Sequence, residues 1–470
     1  MKLPPEVMQL IAQELNSASQ FALLRVCRRW NAIFFRFVYS DLELHTRDIK
    51  PLLHAIRHKK EIGPAVRRLK LPKSDNSVCD LKSDGEDLAW ARDRVNRFSG
   101  TEEEAKEWYL SLKQLESDAW AALLIAHLDN LFELSVHEEG GSLHHINNIL
   151  SCAATRKPPF DEKPLFQKLE RIELTTGDLS LETRQAFPMF LSLPALRSVF
   201  VRGSLGEPHG VSDEIPPCSS GVEDIKLEYR WRPGSDVPAY IRSCKNLKRF
   251  SFTSLDEWND DMSRDRDLRE EFYEPLLSHK ETLEMLELNY RGLARDDKYS
   301  RHSDEPYDRW LGSFAGFKRL KDLSLRSQNI LDVAFSADHG RHRRSELADV
   351  LPESLVSFSI SYTCPAGMDD ILEAMDALLS TRRKLPNLKK ITIACQTQRP
   401  LVEYEPNQQD RLDRLVDGFE SVGILLTCTV VNKDNVFSWY EDSVSDSPVA
   451  LEEAEQQQFE EYLEEQLGLG

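Results

Sequence analysis

The sequence is poor in the features that mark a secreted, membrane-bound or metal-carrying protein. Its 8 cysteines stand singly, at positions 27, 79, 152, 218, 244, 364, 395 and 428. With no CxxC pair they supply neither a zinc-ribbon spacing nor the dense framework of a disulfide-stapled domain, and free thiols in a reducing compartment are expected. No apolar run approaches the roughly 18 residues that cross a bilayer. No signal-peptide pattern opens the chain, and no Asn-x-Ser/Thr acceptor occurs. An excess of positive charge is missing too: 60 Lys and Arg face 79 Asp and Glu, for a net charge of -19. Nucleic acid or an anionic membrane, as a main partner, calls for clustered Lys and Arg. These absences predict a soluble chain, cytoplasmic and/or nuclear, that binds proteins rather than nucleic acid or membrane.

Catalytic and metal motifs are also lacking. His54 and His58 have helical i, i+4 spacing, but Ala55 stands where a metalloprotease HExxH needs glutamate. His144 and His145 lie near Cys152 with no further ligand at zinc spacing. There is no Walker loop, no GxSxG elbow and no GxGxxG after a strand; Gly203, Gly206 and Gly210 have the wrong spacing. No enzyme, metal or cofactor is expected.

What the chain does contain is ample apolar material, 40% hydrophobic and 9% aromatic over 470 residues, enough for two or three domains or one extended array. An internal repeat decides for the array. LFELSV (131–136), LERIEL (169–174), LRSVFV (196–201), VEDIKL (222–227), LKRFSF (247–252), LEMLEL (283–288), LKDLSL (320–325), LVSFSI (355–360) and LKKITI (388–393) share the template apolar-x-x-apolar-x-apolar. VRRLKL (66–71) fits as well, and ILLTCTVV (424–431) reads as a terminal strand. The last two apolar positions alternate with polar ones, the period of a strand with one buried face.

Helical patterns fall between the strands at 117–128, 267–280, 368–382 and 409–422. The spacing resembles leucine-rich repeats of irregular length. That resemblance implies an α/β fold: a horseshoe of parallel strands on the concave face with helices outside, since no unit buries its apolar face alone. An ordinary α/β domain whose strands start alike is the other arrangement these residues permit. Residues 73–115 fit the template poorly and read as an insertion or helical excursion, and 203–221 as a Gly/Pro/Ser loop.

The first 45 residues differ. Pro4 and Pro5 suit a first helical turn, and Val7, Leu10, Ile11 and Leu15 share one face behind them. Phe21, Leu24 and Val26 follow, then Cys27, Arg28, Arg29, Trp30, Ile33, Phe34 and Phe37. Three short helices scarcely enclose a core, so some of these apolar groups should face outward. The order Leu3, Pro4, Glu6, Val7, then Ile11 and Leu15, then Leu24, Val26, Cys27, Arg28, Arg29 and Trp30, closed by VYSDLEL, resembles an F-box.

The F-box resemblance implies a three-helix motif that docks on a Skp-type adaptor and through it joins a cullin-RING (SCF-type) ubiquitin ligase, with the remaining chain capturing substrate. Carried over position by position, it marks Leu3, Pro4, Val7, Ile11, Cys27 and Trp30 as adaptor contacts or their support. Packed apolar and Trp anchors are what carry such interfaces. The alternative is that Leu10, Leu24, Val26 and Trp30 are the core of an N-terminal cap on the repeats.

On the repeat sheet the alternate positions should project onto the open face, and Arg202, Arg230, Arg291 and Arg326 belong to them. A stripe of arginines would take an acidic or phosphorylated protein substrate. Pairing of each arginine with a neighbouring acid such as Glu173, Glu228 or Glu287 is the competing arrangement. Beyond Lys433 the chain has no basic residue and 11 acidic ones, an acidic tail that either keeps the protein soluble or binds the stripe in cis. The expected organisation is an F-box at 1–45, a repeat domain at 46–433 and the tail at 434–470. The expected function is a substrate receptor of a ubiquitin ligase, with a repeat scaffold holding an adaptor outside any ligase as the alternative.

Overall fold

A computed structural model describes residues 4–15, 17–24, 26–71, 85–138, 143–176, 188–203, 215–229, 237–254, 268–290, 310–331, 333–336, 340–343, 345–362, 366–397 and 406–432. Three helices come first: α1 (Pro5–Glu14), α2 (Ser17–Leu24) and α3 (Arg28–Ser40). Pro5 opens α1 at a position whose N–H has no helical partner in any case. Strand β1 (Asp41–Glu43) follows α3 with no intervening residue. Next come α4 (Ile49–His58), β2 (Arg68–Leu71), α5 (Gly85–Phe98), α6 (Glu102–Lys113) and α7 (Ser117–Ile125).

The region that fits the repeat template poorly is thus helical from Gly85 on. A capping box starts α6: Thr101 accepts from the Glu104 N–H at 3.2 Å, and Glu104 accepts from the Thr101 N–H at 3.3 Å. Two indoles lock α6 to α7, with Trp108 Nε1 donating to the Ala119 carbonyl at 3.0 Å and Trp120 Nε1 to Leu112 at 3.2 Å.

The array continues with β3 (Glu133–Glu138), α8 (His144–Thr155), β4 (Arg171–Thr176), β5 (Ser198–Gly203), β6 (Asp224–Tyr229), α9 (Val237–Ser243) and β7 (Arg249–Ser254). A π turn at Arg269–Tyr273 runs into α10 (Glu274–Leu277), ahead of β8 (Met285–Tyr290) and β9 (Asp322–Arg326). An antiparallel hairpin, β10 (Val333–Ser336) with β11 (Gly340–Arg343), interrupts the alternation. The chain then supplies β12 (Ser357–Tyr362), α11 (Ala366–Thr381), β13 (Lys390–Thr397), α12 (Pro406–Glu420) and β14 (Leu425–Asn432).

Twelve strands form one open parallel sheet in chain order, β1 through β9 and then β12, β13 and β14, so the fold is the α/β horseshoe type. The template explains the order. Its first apolar residue, Leu169, Leu196, Val222, Leu247, Leu283, Leu320 or Leu355, is fully buried, and the next two form rows such as Ile172, Val199, Ile225, Phe250 and Leu286.

Between those anchors the residue before each strand donates its N–H to the equivalent carbonyl one repeat earlier. Glu170 bonds to Phe132, Arg197 to Glu170, Glu223 to Arg197, Lys248 to Glu223, Glu284 to Lys248 and Lys321 to Glu284, all at 2.7–2.9 Å. Each buried leucine is worth roughly 1.5–3 kcal/mol relative to exposure. Because each is shared with a neighbouring unit, no repeat stands alone.

Two cores result. The large one runs under the sheet from Phe35 to Leu426. A small one, Met8, Ala12 and Phe34 with Leu23, Leu24, Trp30, Ile33 and Phe37 packed against it, lies within the first three helices. Helix α3 serves both, since Phe34 faces the small core and Phe35 the large one.

Candidate functional site

Two surfaces carry the residues singled out in the sequence. The first is the outer face of α1–α3. Met8, Ala12 and Phe34 close the small core, and Trp30 stacks on Phe34 with ring centroids 5.4 Å apart. Trp30 and Ile11 are half-buried, whereas Pro4, Val7 and Cys27 are exposed; Leu3 lies outside the described residues. The most outward apolar side chains are Leu10, 62% exposed, and Val26, 60% exposed.

The cap alternative placed Leu10, Leu24, Val26 and Trp30 in a core; Leu24 and Trp30 do pack against one, whereas Leu10 and Val26 are in solvent. Both were legible. Leu10 follows Val7 by three positions on one helix face, and Val26 sits in the break between α2 and α3, just before Cys27 at the start of α3. The helical unit thus has its own small core and, outside it, exposed Val7, Leu10 and Val26.

The second surface is the open face of the sheet. Its register is fixed by the ladder: Thr175, Arg202, Glu228, Thr253 and Asn289 form one row across β4–β8. Arg202 is exposed and donates from Nε to Glu228 at 2.7 Å, and Lys226 Nζ binds the other Glu228 oxygen at 2.7 Å. Burial would push the Glu228 carboxyl up, but the hydrogen bonds from Lys226 and Arg202 outweigh it and hold the group below its ordinary value. Phe200 opens toward the same cluster, with Lys226 Nζ 4.7 Å and Arg202 6.0 Å from its ring centre. Two cations share one carboxylate beside an apolar ring, a net positive spot with an apolar floor.

Of the four arginines expected to form a stripe, Arg202 and Arg326 lie within the described residues. Arg326 is buried, 8% exposed, rather than projecting onto the open sheet. The reason is local: it ends β9, and the chain closes at once into a helical turn, Ser327–Ile330, whose Ser327 and Asn329 are buried with it. Arg202 is paired as the competing arrangement required. Arg230 and Arg291 lie outside the described residues. Beyond β8 the exposed face turns from charge to hydroxyls, with Ser324, Ser359, Thr392 and Thr427 in one register row and Thr392 Oγ1 3.3 Å from Thr427 Oγ1.

The histidines singled out in the sequence make local contacts. His54 and His58 stack with centroids 4.4 Å apart, and His54 Nδ1 lies 3.4 Å from Asp87. His145 is buried against Trp108, ring centroids 5.7 Å apart, and burial lowers it to about 4. Among the described residues no group of three or more His, Cys, Asp and Glu side chains is placed to hold a metal ion, and no helix is long and apolar enough to cross a membrane.

With both surfaces defined, comparison with known families is informative. Residues 1–43 match the F-box-like family model, and residues 175–399 match that of a leucine-rich repeat domain. The two matches fall on the helical unit and on the sheet from the end of β4 to β13. No curated protein matches the chain. The chain therefore combines an F-box-like segment at its N-terminus with a leucine-rich repeat domain.

Proposed function

We propose that this protein is the substrate-recognition subunit of an SCF-type cullin-RING ubiquitin ligase, its helices α1–α3 docking on a Skp-type adaptor and its open sheet face capturing a protein substrate. The observation that carries the reading is the placement of Val7, Leu10 and Val26 in solvent on the segment that matches the F-box-like family. Covering two such side chains and the rim of Trp30 gives a docked helix its affinity, because anchors at the centre of an interface dominate its energy. The chain contributes no chemistry in this reading. It positions one protein relative to another, in the cytoplasm or nucleus, and transfer of ubiquitin belongs to the ligase.

The substrate segment is acidic or phosphorylated and meets Arg202 and Lys226, where charge-assisted bonds to an oxyanion replace part of what Glu228 now supplies, while Phe200 takes an adjacent apolar side chain. Affinity purification of the full chain from cells tests the reading. The Skp-type adaptor and cullin should co-purify, and the double variant Leu10→Asp/Val26→Asp should lose both while retaining its repeat-domain fold. Recovery of the adaptor with the double variant, or no adaptor with the parent chain, would overturn it.

A further inference from the structure

At several strand starts a basic side chain at the position before the strand or at its first residue is matched by an acid one repeat earlier. Lys248 Nζ lies 2.7 Å from Glu223, Arg249 2.8 Å from Asp224, Lys321 3.2 Å from Glu284, and Arg68 3.2 Å from Asp41. Other strand starts lack the pair: Arg171, opposite Glu133, forms none among the described residues, and β13 has none either. There Lys389 and Lys390 follow Val356 and Ser357 in the ladder, and on the other side Lys390 pairs with Leu425, which is 59% exposed.

The turn that leads into β13 adds Arg382 and Arg383, both exposed, while Lys384 is held by Asp349. Arg382, Arg383, Lys389 and Lys390 form no ion pair among the described residues. Buried Leu385 and Leu388 pin the turn, so these four cations sit on a fixed scaffold at one corner of a chain whose net charge is -19.

We propose that this basic corner is the docking surface for the chain's own acidic segment, Glu441 to Glu465. Three observations converge on that occupant. The first is charge: from Asp434 onward the sequence carries 11 acidic residues and no basic one. The second is reach. Strand β14 is the last of the sheet, and its final residue, Asn432, pairs with Thr397 at the end far from Lys390. Returning along β14 from Asn432 to the level of Leu425 takes roughly 23 Å, and the residues between Asn432 and Glu441 span up to about 30 Å when extended.

The third is that cations near this corner are already taken: Lys384 is held by Asp349 and Arg411 by Asp376. Arg202, on the open face, is already held by Glu228, and Arg319 and Lys321 by Glu284. A tethered segment meets the corner at a high effective concentration, so several individually weak exposed ion pairs suffice, and added salt should release it. This inference does not depend on the ligase reading.

Zero-length carbodiimide cross-linking of the full chain tests it, using an equal mixture of isotopically light and heavy protein followed by peptide mass spectrometry. Amide links should join Lys389 or Lys390 to carboxylates between Glu441 and Glu465, within molecules of a single label, and should fade in high salt. The variant Arg382→Glu/Arg383→Glu, which keeps both target lysines, should lose most of those links. The proposal is overturned if tail carboxylates link elsewhere or not at all, if the variant links as well as the parent, or if the links join light chains to heavy ones, which would make the occupant a second copy.

Discussion

The Asp118 carboxylate in the first turn of α7 accepts a hydrogen bond from the backbone N–H of His145 at 2.7 Å, so the start of one helix caps the start of another. It also accepts from Ile146 at 3.2 Å. Burial raises this carboxyl to about 7, against the opposing effect of the two N–H donors.

An aspartate in the unfolded chain titrates near 4. Between about pH 4 and 7 the folded protein therefore holds a proton that the unfolded chain has lost, and the group's contribution falls as pH rises through that window, then levels off. Asp118→Asn keeps an acceptor and removes the charge. Its stability relative to the parent should improve by about 1–2 kcal/mol between pH 4.5 and 8. Denaturant melts at the two pH values check this, and a pH-independent difference would refute it.

Glu228 should behave in the opposite sense. Its folded value is depressed, so its two ion pairs stabilise the protein above the ordinary glutamate range, near 4.3, and are lost as pH falls through the folded value. Glu228→Gln should cost about 1 kcal/mol at pH 7. The parent and variant curves should then converge in acid.

The first three helices separate folding residues from docking residues. Phe34 is fully buried and Leu10 is mostly solvent-exposed. Phe34→Ala should destabilise the segment by about 3–5 kcal/mol. Leu10→Asp should leave the thermal melt within about 0.5 kcal/mol of the parent. If the F-box-like segment docks as proposed, Leu10→Asp should also weaken adaptor binding by at least about tenfold, which is roughly 1.4 kcal/mol. Calorimetric melts beside adaptor titration distinguish the two effects, and an unweakened Leu10→Asp would remove Leu10 from the interface.

Gly312 has φ +142°, a conformation that L side chains rarely adopt, and a Cβ there would lie 2.5 Å from the Tyr273 ring. The Tyr273 hydroxyl is itself fixed by donating to the Ser313 carbonyl at 2.6 Å, so the ring cannot easily withdraw. Gly312→Ala should therefore cost about 1–3 kcal/mol. Gly316, with open space around it, supplies the control.

The parts of the fold that were legible in the sequence obey short periods. The apolar-x-x-apolar-x-apolar template located the strands from β2 to β9 and from β12 to β14, because burial on one face of a strand repeats every second residue. The helices at 117–125 and 366–381 were equally legible from their apolar spacing. The β10–β11 hairpin was not: VAFS and GRHR carry no alternation strong enough to mark strands. Nor was β1, whose three residues looked like the end of the helical motif.

On the open face the phase of each arginine could be read but its depth could not. Arg202 and Arg326 share the same strand phase, yet one is exposed and the other buried. Likewise Leu10 and Val26 could be assigned to an amphipathic segment, but whether that segment faces the sheet or the solvent is a property of tertiary packing.

Strand β1 begins at the residue after α3 ends, and Phe35 of that helix is sunk in the large core. No spacer joins the helical unit to the sheet. Whatever grips α1–α3 from outside therefore also aims the open face, and a molecule lying across β5 and β6 would be presented at one bearing. Lengthening the junction at Ser40 and Asp41 would change the aim while sparing both grips.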